Sequence, residues 1–311
     1  MARLPTFFVA GAGKAGTTSL HSYLSQHPEI FMSPVKEPCF FADEIRCGRR
    51  SESVEKHLRH RSGVPVDPAT RIPPDLAAYL RLFENVRGEK AIGESSAAYL
   101  WSETAASNIL ASIPNAKIIL ILRDPAERAF SQYLHQLSVG LTKSSFRHHL
   151  DACLHADRTQ LSIYYPFLEA GLYSAQVHRF LDHFPREQIR IYWYEEAWRD
   201  TAALFRDLFE FLDVDATFQP DASQRILERR SPRAAGPHYW LKKVNLWYPL
   251  RSLVPESLRS QLSAAFFRKG KALRIDPRDR EYLIDYYRDD VLKLSALLDR
   301  DLSSWLTSDP T

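Results

Sequence analysis

An apolar run at residues 6–10 (TFFVA) stops at a glycine-bearing loop, Gly11 to Gly16 (GAGKAG). Residues 17–27 then place Leu20, Tyr23 and Leu24 on one face, and Pro28 follows. The run reads as a buried strand, the i, i+3, i+4 spacing as a helix, and the proline as its stop. Strand, glycine loop and helix in that order open a parallel α/β fold.

The rest of the chain continues that alternation. Residues 117–122 (KIILIL) are apolar on both faces, which favours the centre of a parallel sheet. Asp124 is a good N-cap and Pro125 suits the first helical position, so a helix is predicted to about Val139, closed by Gly140. Further helices are predicted at 76–83, 101–113, 171–184, 201–212 and 278–298, with a strand at 189–194 and a weaker strand-to-loop signal from Ala91. The expected architecture is one P-loop-like, doubly wound domain over residues 1–311, mostly parallel at its core, with helices on both faces. Residues 43–74 are polar and proline-bearing and read as a surface excursion.

Composition bounds the function. Of 311 residues, 45% are hydrophobic and 25% charged, an ordinary globular balance. Three cysteines, Cys39, Cys47 and Cys153, exclude a disulfide scaffold and have no zinc-site spacing. No apolar run approaches the ~20 residues of a membrane span. No secretory leader precedes the first motif, so the expected setting is the cytoplasm. Net charge is +3, but residues 225–280 hold 14 Lys and Arg against four acids. That basic segment points to an anionic ligand, a nucleic acid or a membrane surface, or is a solvated face.

The sharpest chemistry lies at Gly11 to Ser19. Glycines allow a tight turn that points successive N–H groups inward, and the helix start adds the positive end of its dipole. Lys14 contributes a point charge, and Thr17 and Thr18 contribute hydroxyl and backbone donors, so the loop is an anion cradle. A nucleotide triphosphatase loop needs GxxxxGK[ST], but Thr17 follows Gly16 where that pattern wants lysine. A ligand-free glycine turn is the plainer alternative.

AGKAGTTSL resembles the phosphosulfate-binding loop of sulfotransferases that use PAPS, 3′-phosphoadenosine 5′-phosphosulfate. The resemblance implies that Lys14 neutralises charge on the bridging oxygen as sulfuryl leaves, with Ala15, Gly16, Thr17 and Thr18 lining the 5′ end. LRDPAERAFSQYLHQ, residues 122–136, resembles that family's 3′-phosphate site, with Arg123 at the strand end and Ser131 on the helix. Ser131 lies on the order of 10 Å along the helix at 1.5 Å per residue, and an arginine at the strand end reaches back along it. Alternatively, Arg123 pairs with Asp124 or Glu127, or Asp124 holds magnesium as in a P-loop kinase or NTPase.

VKEPCFF, residues 35–41, resembles a segment of the heparan sulfate sulfotransferases and their bacterial relatives, where a glutamate before paired aromatics is the catalytic base. The resemblance puts Glu37 in that role; otherwise Glu37 pairs with Lys36 or caps a turn. GESSAAYL, residues 93–100, resembles a loop between cofactor and acceptor sites. Some heparan sulfate members carry lysine where Ser95 stands and an acid where Ala42 stands, and both departures count against heparan sulfate itself. RKGKALRIDP, residues 268–277, resembles a loop closing over the 3′-phosphate through Lys269, Gly270 and Lys271, with Ser231 and Arg233 as weaker candidates. Tyr239, Trp240, Trp247 and Tyr248 form either a buried cluster or a cover meeting acceptor or membrane surface.

The implied activity is transfer of sulfuryl from PAPS, with PAP as product, to a hydroxyl or amine of a small-molecule or glycan acceptor. No metal is required, because Lys14 and backbone donors can stabilise the departing phosphate. No nucleic-acid partner is expected, and oligomeric state leaves no mark in the sequence.

Overall fold

The computed structural model describes residues 3–48, 73, 75–155, 166–221, 230–232, 267–269 and 273–308. Its centre is a five-stranded parallel sheet in the order β2-β3-β1-β4-β5. The strands are β1 (Phe7–Gly11), β2 (Ile30–Met32), β3 (Ala91–Ser95), β4 (Lys117–Leu122) and β5 (Ile189–Trp193). β1 is buried along its whole length because it is paired on both edges, with Phe7 opposite Gly93 on one side and Lys117 on the other. A Cβ at Gly93 would sit 2.1 Å from Phe7 Cζ, so the glycine makes room for the ring.

Around the sheet lie α1 (Thr17–Leu24), α2 (Asp43–Gly48), α3 (Leu76–Arg81), α4 (Ala105–Ser112), α5 (Pro125–Ser138), α6 (Phe146–His155), α7 (Tyr173–His183), α8 (Tyr194–Ala197), α9 (Thr201–Phe211) and α10 (Pro277–Leu298). α9 buries Leu204, Phe205, Leu208 and Phe211, and its Phe205 meets Tyr23 of α1 edge-on at 5.6 Å. α10 packs against α7 and α5, and Trp305 beyond it meets Trp193 of β5 at 5.5 Å.

Departures from the predicted elements have local causes. α4 starts at Ala105 rather than near Trp101. Glu44 takes the backbone N–H groups of Glu103 (2.8 Å) and Thr104 (3.0 Å) and the Ser102 hydroxyl (2.8 Å), which fixes that stretch outside the helix. β2, at three residues, is too short to show a period; its partner β3 defines it. The basic segment contributes an antiparallel pair, β6 (Arg230–Pro232) and β7 (Phe267–Lys269). Arg233, the four aromatics from Tyr239 to Tyr248, Gly270, Lys271 and most of the 43–74 excursion lie outside the described residues.

α5 begins as the sequence predicts. Asp124 accepts from the N–H of Ala126 (2.8 Å) and Glu127 (3.2 Å) through one oxygen. Its other oxygen accepts from Arg280 of α10 at 2.7 Å, and both side chains are buried. Removing one partner of such a pair costs about 3–5 kcal/mol, and loss of the cap adds about 1 kcal/mol. Asp124→Ala is therefore expected to lower the free energy of urea unfolding by at least ~3 kcal/mol. Asp124→Asn, which keeps an oxygen for the cap, is expected to cost less. Equal stability of Asp124→Ala and wild type would show that the pair holds nothing.

Candidate active site

The loops that follow β1 to β5 all leave the same end of the sheet, and the residues singled out by the sequence gather there. After β1, Ala12 N–H donates to Ile121 O (2.7 Å) and Ala15 N–H to Ala12 O (3.2 Å). Lys14 and Gly16 take left-handed φ values of 73° and 89°. Gly16 is the N-cap of α1 and contributes no side-chain cap, so the first amides of α1 open onto the loop. A Cβ at Gly16 would lie 2.6 Å from Trp198 Nε1, so only glycine allows the indole this close. Ala15 and Thr17 are buried, while Lys14 and Thr18 are partly open. The result is the positive end of a helix dipole beside a lysine.

Arg123 follows β4 and is 4% exposed. Its Nη1 donates to the Lys14 carbonyl at 3.2 Å, which joins the two predicted anion sites directly. Its Nη2 lies 3.3 Å from Glu127 Oε2, and the guanidinium stacks 4.5 Å from the Tyr194 ring. Of the two ion pairs weighed from the sequence, the one with Glu127 forms; Asp124 turns to Arg280 instead. Arg123 Nε is buried with no hydrogen-bond partner among the described residues. A buried donor without a partner is costly, and an anionic ligand would satisfy it. Ser131 lies half-buried two turns into α5, with no hydrogen bond to Arg123. β6 packs against α5, and its pairing with β7 puts the Lys269 backbone opposite Arg230 beside that helix.

Glu37 follows β2 in a left-handed conformation, φ 62°. Its N–H donates to Ser95 O (2.8 Å), and its Oε2 accepts from Ala97 N–H (2.9 Å). Lys36 pairs with the other carboxylate oxygen. Ser96 Oγ accepts from Cys39 N–H at 3.0 Å, and the following Phe40 and Phe41 are buried. Phe40 stacks on Tyr79 at 4.5 Å and Phe41 meets Phe8 of β1 edge-on at 5.7 Å. The paired aromatics thus anchor the segment to the core, and the backbone after β3 holds the carboxylate, whose side chain remains 28% exposed.

Two neighbours of Glu37, and a tryptophan packed on the loop after β1, carried no signal that the sequence reading used. His21 Nδ1 lies 3.0 Å from Ser95 Oγ. Burial and then Lys36 lower the His21 pKa to about 4, against an opposing pull from Glu37. His21 lies one turn after Thr17 on α1, and that spacing was the available signal. Glu94, next to Ser95, is fully buried and accepts from the Tyr79 hydroxyl at 3.1 Å. Burial raises its pKa to about 8, although the Tyr99, Tyr79 and Ser96 hydroxyls oppose the rise. Trp198 has no local signal at all; only the fold brings it to Gly16.

The Glu94 shift has a sign that can be checked. Its folded pKa lies above its unfolded value, so the neutral carboxyl supports the fold fully below about pH 4.5. That support is lost as pH rises through about 8. Glu94→Gln is expected to flatten this decline, so that the variant gains on wild type by a few kcal/mol between pH 5 and pH 9, roughly 1.4 per unit of pKa shift. Parallel stability curves for the two proteins in urea would refute the assignment.

Among the described residues, no cluster of His, Cys, Asp and Glu could hold a metal ion, and no helix is long and apolar enough to cross a membrane. Residues 5–220 match the Sulfotransferase family. The chain is 28% identical over 313 residues to the human bifunctional heparan sulfate N-deacetylase/N-sulfotransferase 3, across 98% of this chain and 31% of that protein. Human carbohydrate sulfotransferase 15 is 26% identical over 272 residues, across 74% of this chain and 46% of that one. The chain therefore spans less than half the length of these relatives. The crystal structure of a sulfotransferase from Alicyclobacillus acidocaldarius superposes with a TM-score of 0.72 at 31% identity, across 98% of this chain and 100% of that one. A family match over most of the chain and a bacterial homologue covered from end to end lead to one assignment: the chain belongs to the sulfotransferase family.

Proposed function

We propose that the protein transfers a sulfuryl group from PAPS to a hydroxyl or amine on an acceptor of the carbohydrate class, with Glu37 as general base. One observation carries the nucleotide half of this reading. The buried Arg123 guanidinium binds the carbonyl of Lys14 yet keeps an Nε with no partner among the described residues, so the phosphate loop and the end of β4 line one continuous wall suited to an anion. A carbohydrate acceptor is supported by the names of the two human relatives, which act on heparan sulfate or carbohydrate.

Each residue then has a defined task. Lys14 and the amides of Ala15, Gly16, Thr17 and Thr18 hold the 5′-phosphosulfate and meet the charge that develops on the leaving phosphate. Arg123 and Ser131 hold the 3′-phosphate, and the sequence resemblance adds Lys269, Gly270 and Lys271 to that task. The acceptor atom bonds to sulfur as the bridging S–O bond breaks, and its proton passes to the Glu37 carboxylate. Lys36, already paired with Glu37, orients that carboxylate. PAP leaves with the electron pair of the broken bond.

The P-loop kinase or NTPase reading loses its acid. Both Asp124 oxygens are engaged, one as the α5 cap and one by Arg280, so neither is left for magnesium. Thr17 also stands where that class places its lysine.

Glu37→Gln is expected to reduce sulfuryl transfer by at least ~10²-fold while PAP affinity stays unchanged. Equal loss of PAP binding would assign Glu37 a structural role. Arg123→Ala is expected to shrink the preference for PAP over AMP by about tenfold or more, the worth of a charge-assisted hydrogen bond of ~1.5–3 kcal/mol. Calorimetric titration with PAP, AMP and ATP measures it. An unchanged ratio removes Arg123 from the 3′-phosphate site, and tighter binding of Mg-ATP than of PAP overturns the reading.

A further inference from the structure

Beside Arg123 lies an ionic cluster built on Asp124, Glu127 and Arg280. Arg280, in the first turn of α10, is 1% exposed and 156 positions from its partner Asp124 in sequence. Its Nη2 donates to Asp124 Oδ2 at 2.7 Å, its Nη1 lies 3.7 Å from Glu127 Oε1, and its Nε donates to Thr307 O at 2.9 Å. Glu127 is shared: its other oxygen lies 3.3 Å from Arg123 Nη2. Arg128, also fully buried, binds the neutral oxygens of Gln132 and Phe167 and pairs with no carboxylate among the described residues. Glu195 is partly buried nearby, and burial raises its pKa. Among the described residues, Asp124 and Glu127 therefore face two arginines, and Arg280 is the one within ion-pair distance of both.

An ion pair of this kind is a poor source of stability compared with apolar residues of the same volume. Capping α5 needs Asp124 alone. The arrangement makes sense as charge control at the nucleotide site. Without Arg280, two carboxylates at the start of α5 would face Arg123 only, at the place where a phosphate dianion is to bind, and like charge there opposes binding.

We propose that Arg280 is a positioning residue for nucleotide recognition. It holds Asp124 and shares Glu127 with Arg123, which weakens the hold of Glu127 on the Arg123 guanidinium, leaves that guanidinium open to a 3′-phosphate and sets the preference for PAP over AMP. This rests on the assignment of Arg123 to the 3′-phosphate. Glu127 is the competitor in this scheme, since it and the phosphate seek the same guanidinium.

The test removes the buried pair together, as Asp124→Asn with Arg280→Met, so that the helix cap keeps its oxygen and no lone charge stays buried. Calorimetric titration with PAP and with AMP is the readout. PAP affinity is expected to fall about tenfold, the effect of one weakened charge-assisted hydrogen bond, with AMP affinity held within about threefold. Adding Glu127→Gln to that double variant is expected to restore PAP affinity, which a purely structural role would not do. Glu127→Gln alone, at a partly exposed site that tolerates the change, is expected to tighten PAP several-fold (up to about tenfold) without moving AMP. This single variant decides the matter if the double variant does not fold; unchanged or weaker PAP binding then overturns the proposal. An unchanged PAP-to-AMP ratio in the double variant, alongside a collapsed ratio in Arg123→Ala, makes Arg280 structural only. An unchanged ratio in Arg123→Ala as well brings down the 3′-phosphate assignment itself.

Discussion

Parallel pairing decides where chemistry can occur in this chain. β1 is hydrogen-bonded on both edges and buried throughout, so each connection must return along the sheet before the next strand can start. Every strand then ends at the same rim. The chain visits β2 and β3 on one side of β1 and β4 and β5 on the other, which creates a crevice where its direction of travel reverses. Lys14, Glu37, Ser95, Arg123 and Tyr194 each follow or close a different strand, and this rule alone assembles them. Loss of the Phe7 and Gly93 fit would therefore disturb the site from within the core.

Burial sorts the ionisable groups along the acceptor wall. Glu94 is enclosed by tyrosines and turns neutral, His21 is pushed towards its neutral form, and Glu37 keeps access to solvent while the Ala97 N–H and the Lys36 ammonium each hold one carboxylate oxygen. Desolvation is the largest influence on the first two, and neither the pull of Glu37 on His21 nor the hydroxyls around Glu94 reverse it. A carboxylate that is both reachable and held is what a proton-accepting role requires. The aromatic stack of Phe40, Phe41, Tyr79 and Phe8 gives it a rigid footing, since each ring is packed by the next.

The sequence carried most of the scaffold and half of the site. The loop after β1 was legible because glycine, lysine and a helix start combine three independent signals within a few residues. β4 and α5 were legible because a two-faced apolar run meets an Asp-Pro cap. Glu37 was reached only through resemblance; nothing in its neighbours distinguishes a base from a surface ion pair. Arg280, Trp198 and Glu94 were invisible for a different reason. Their importance comes from neighbours far along the chain, and an arginine in a basic stretch or a tryptophan after a strand has no local mark of the partner it will meet. The late start of α4 has the same origin, because the capping carboxylate belongs to Glu44, well upstream of the helix.

The hydrogen bond from Arg123 to the Lys14 carbonyl carries a thermodynamic consequence on the reading proposed for the two anion sites. A ligand fragment that pulls on this guanidinium also alters the donor available to the loop, and a fragment seated in the loop shifts the carbonyl that orients the guanidinium. Adenosine 3′-phosphate and a small inorganic oxyanion should thus occupy their halves with free energies that do not add, each reporting on the presence of the other. Linkage of that kind lets a short carbonyl contact act as a communication line between the two termini of one nucleotide.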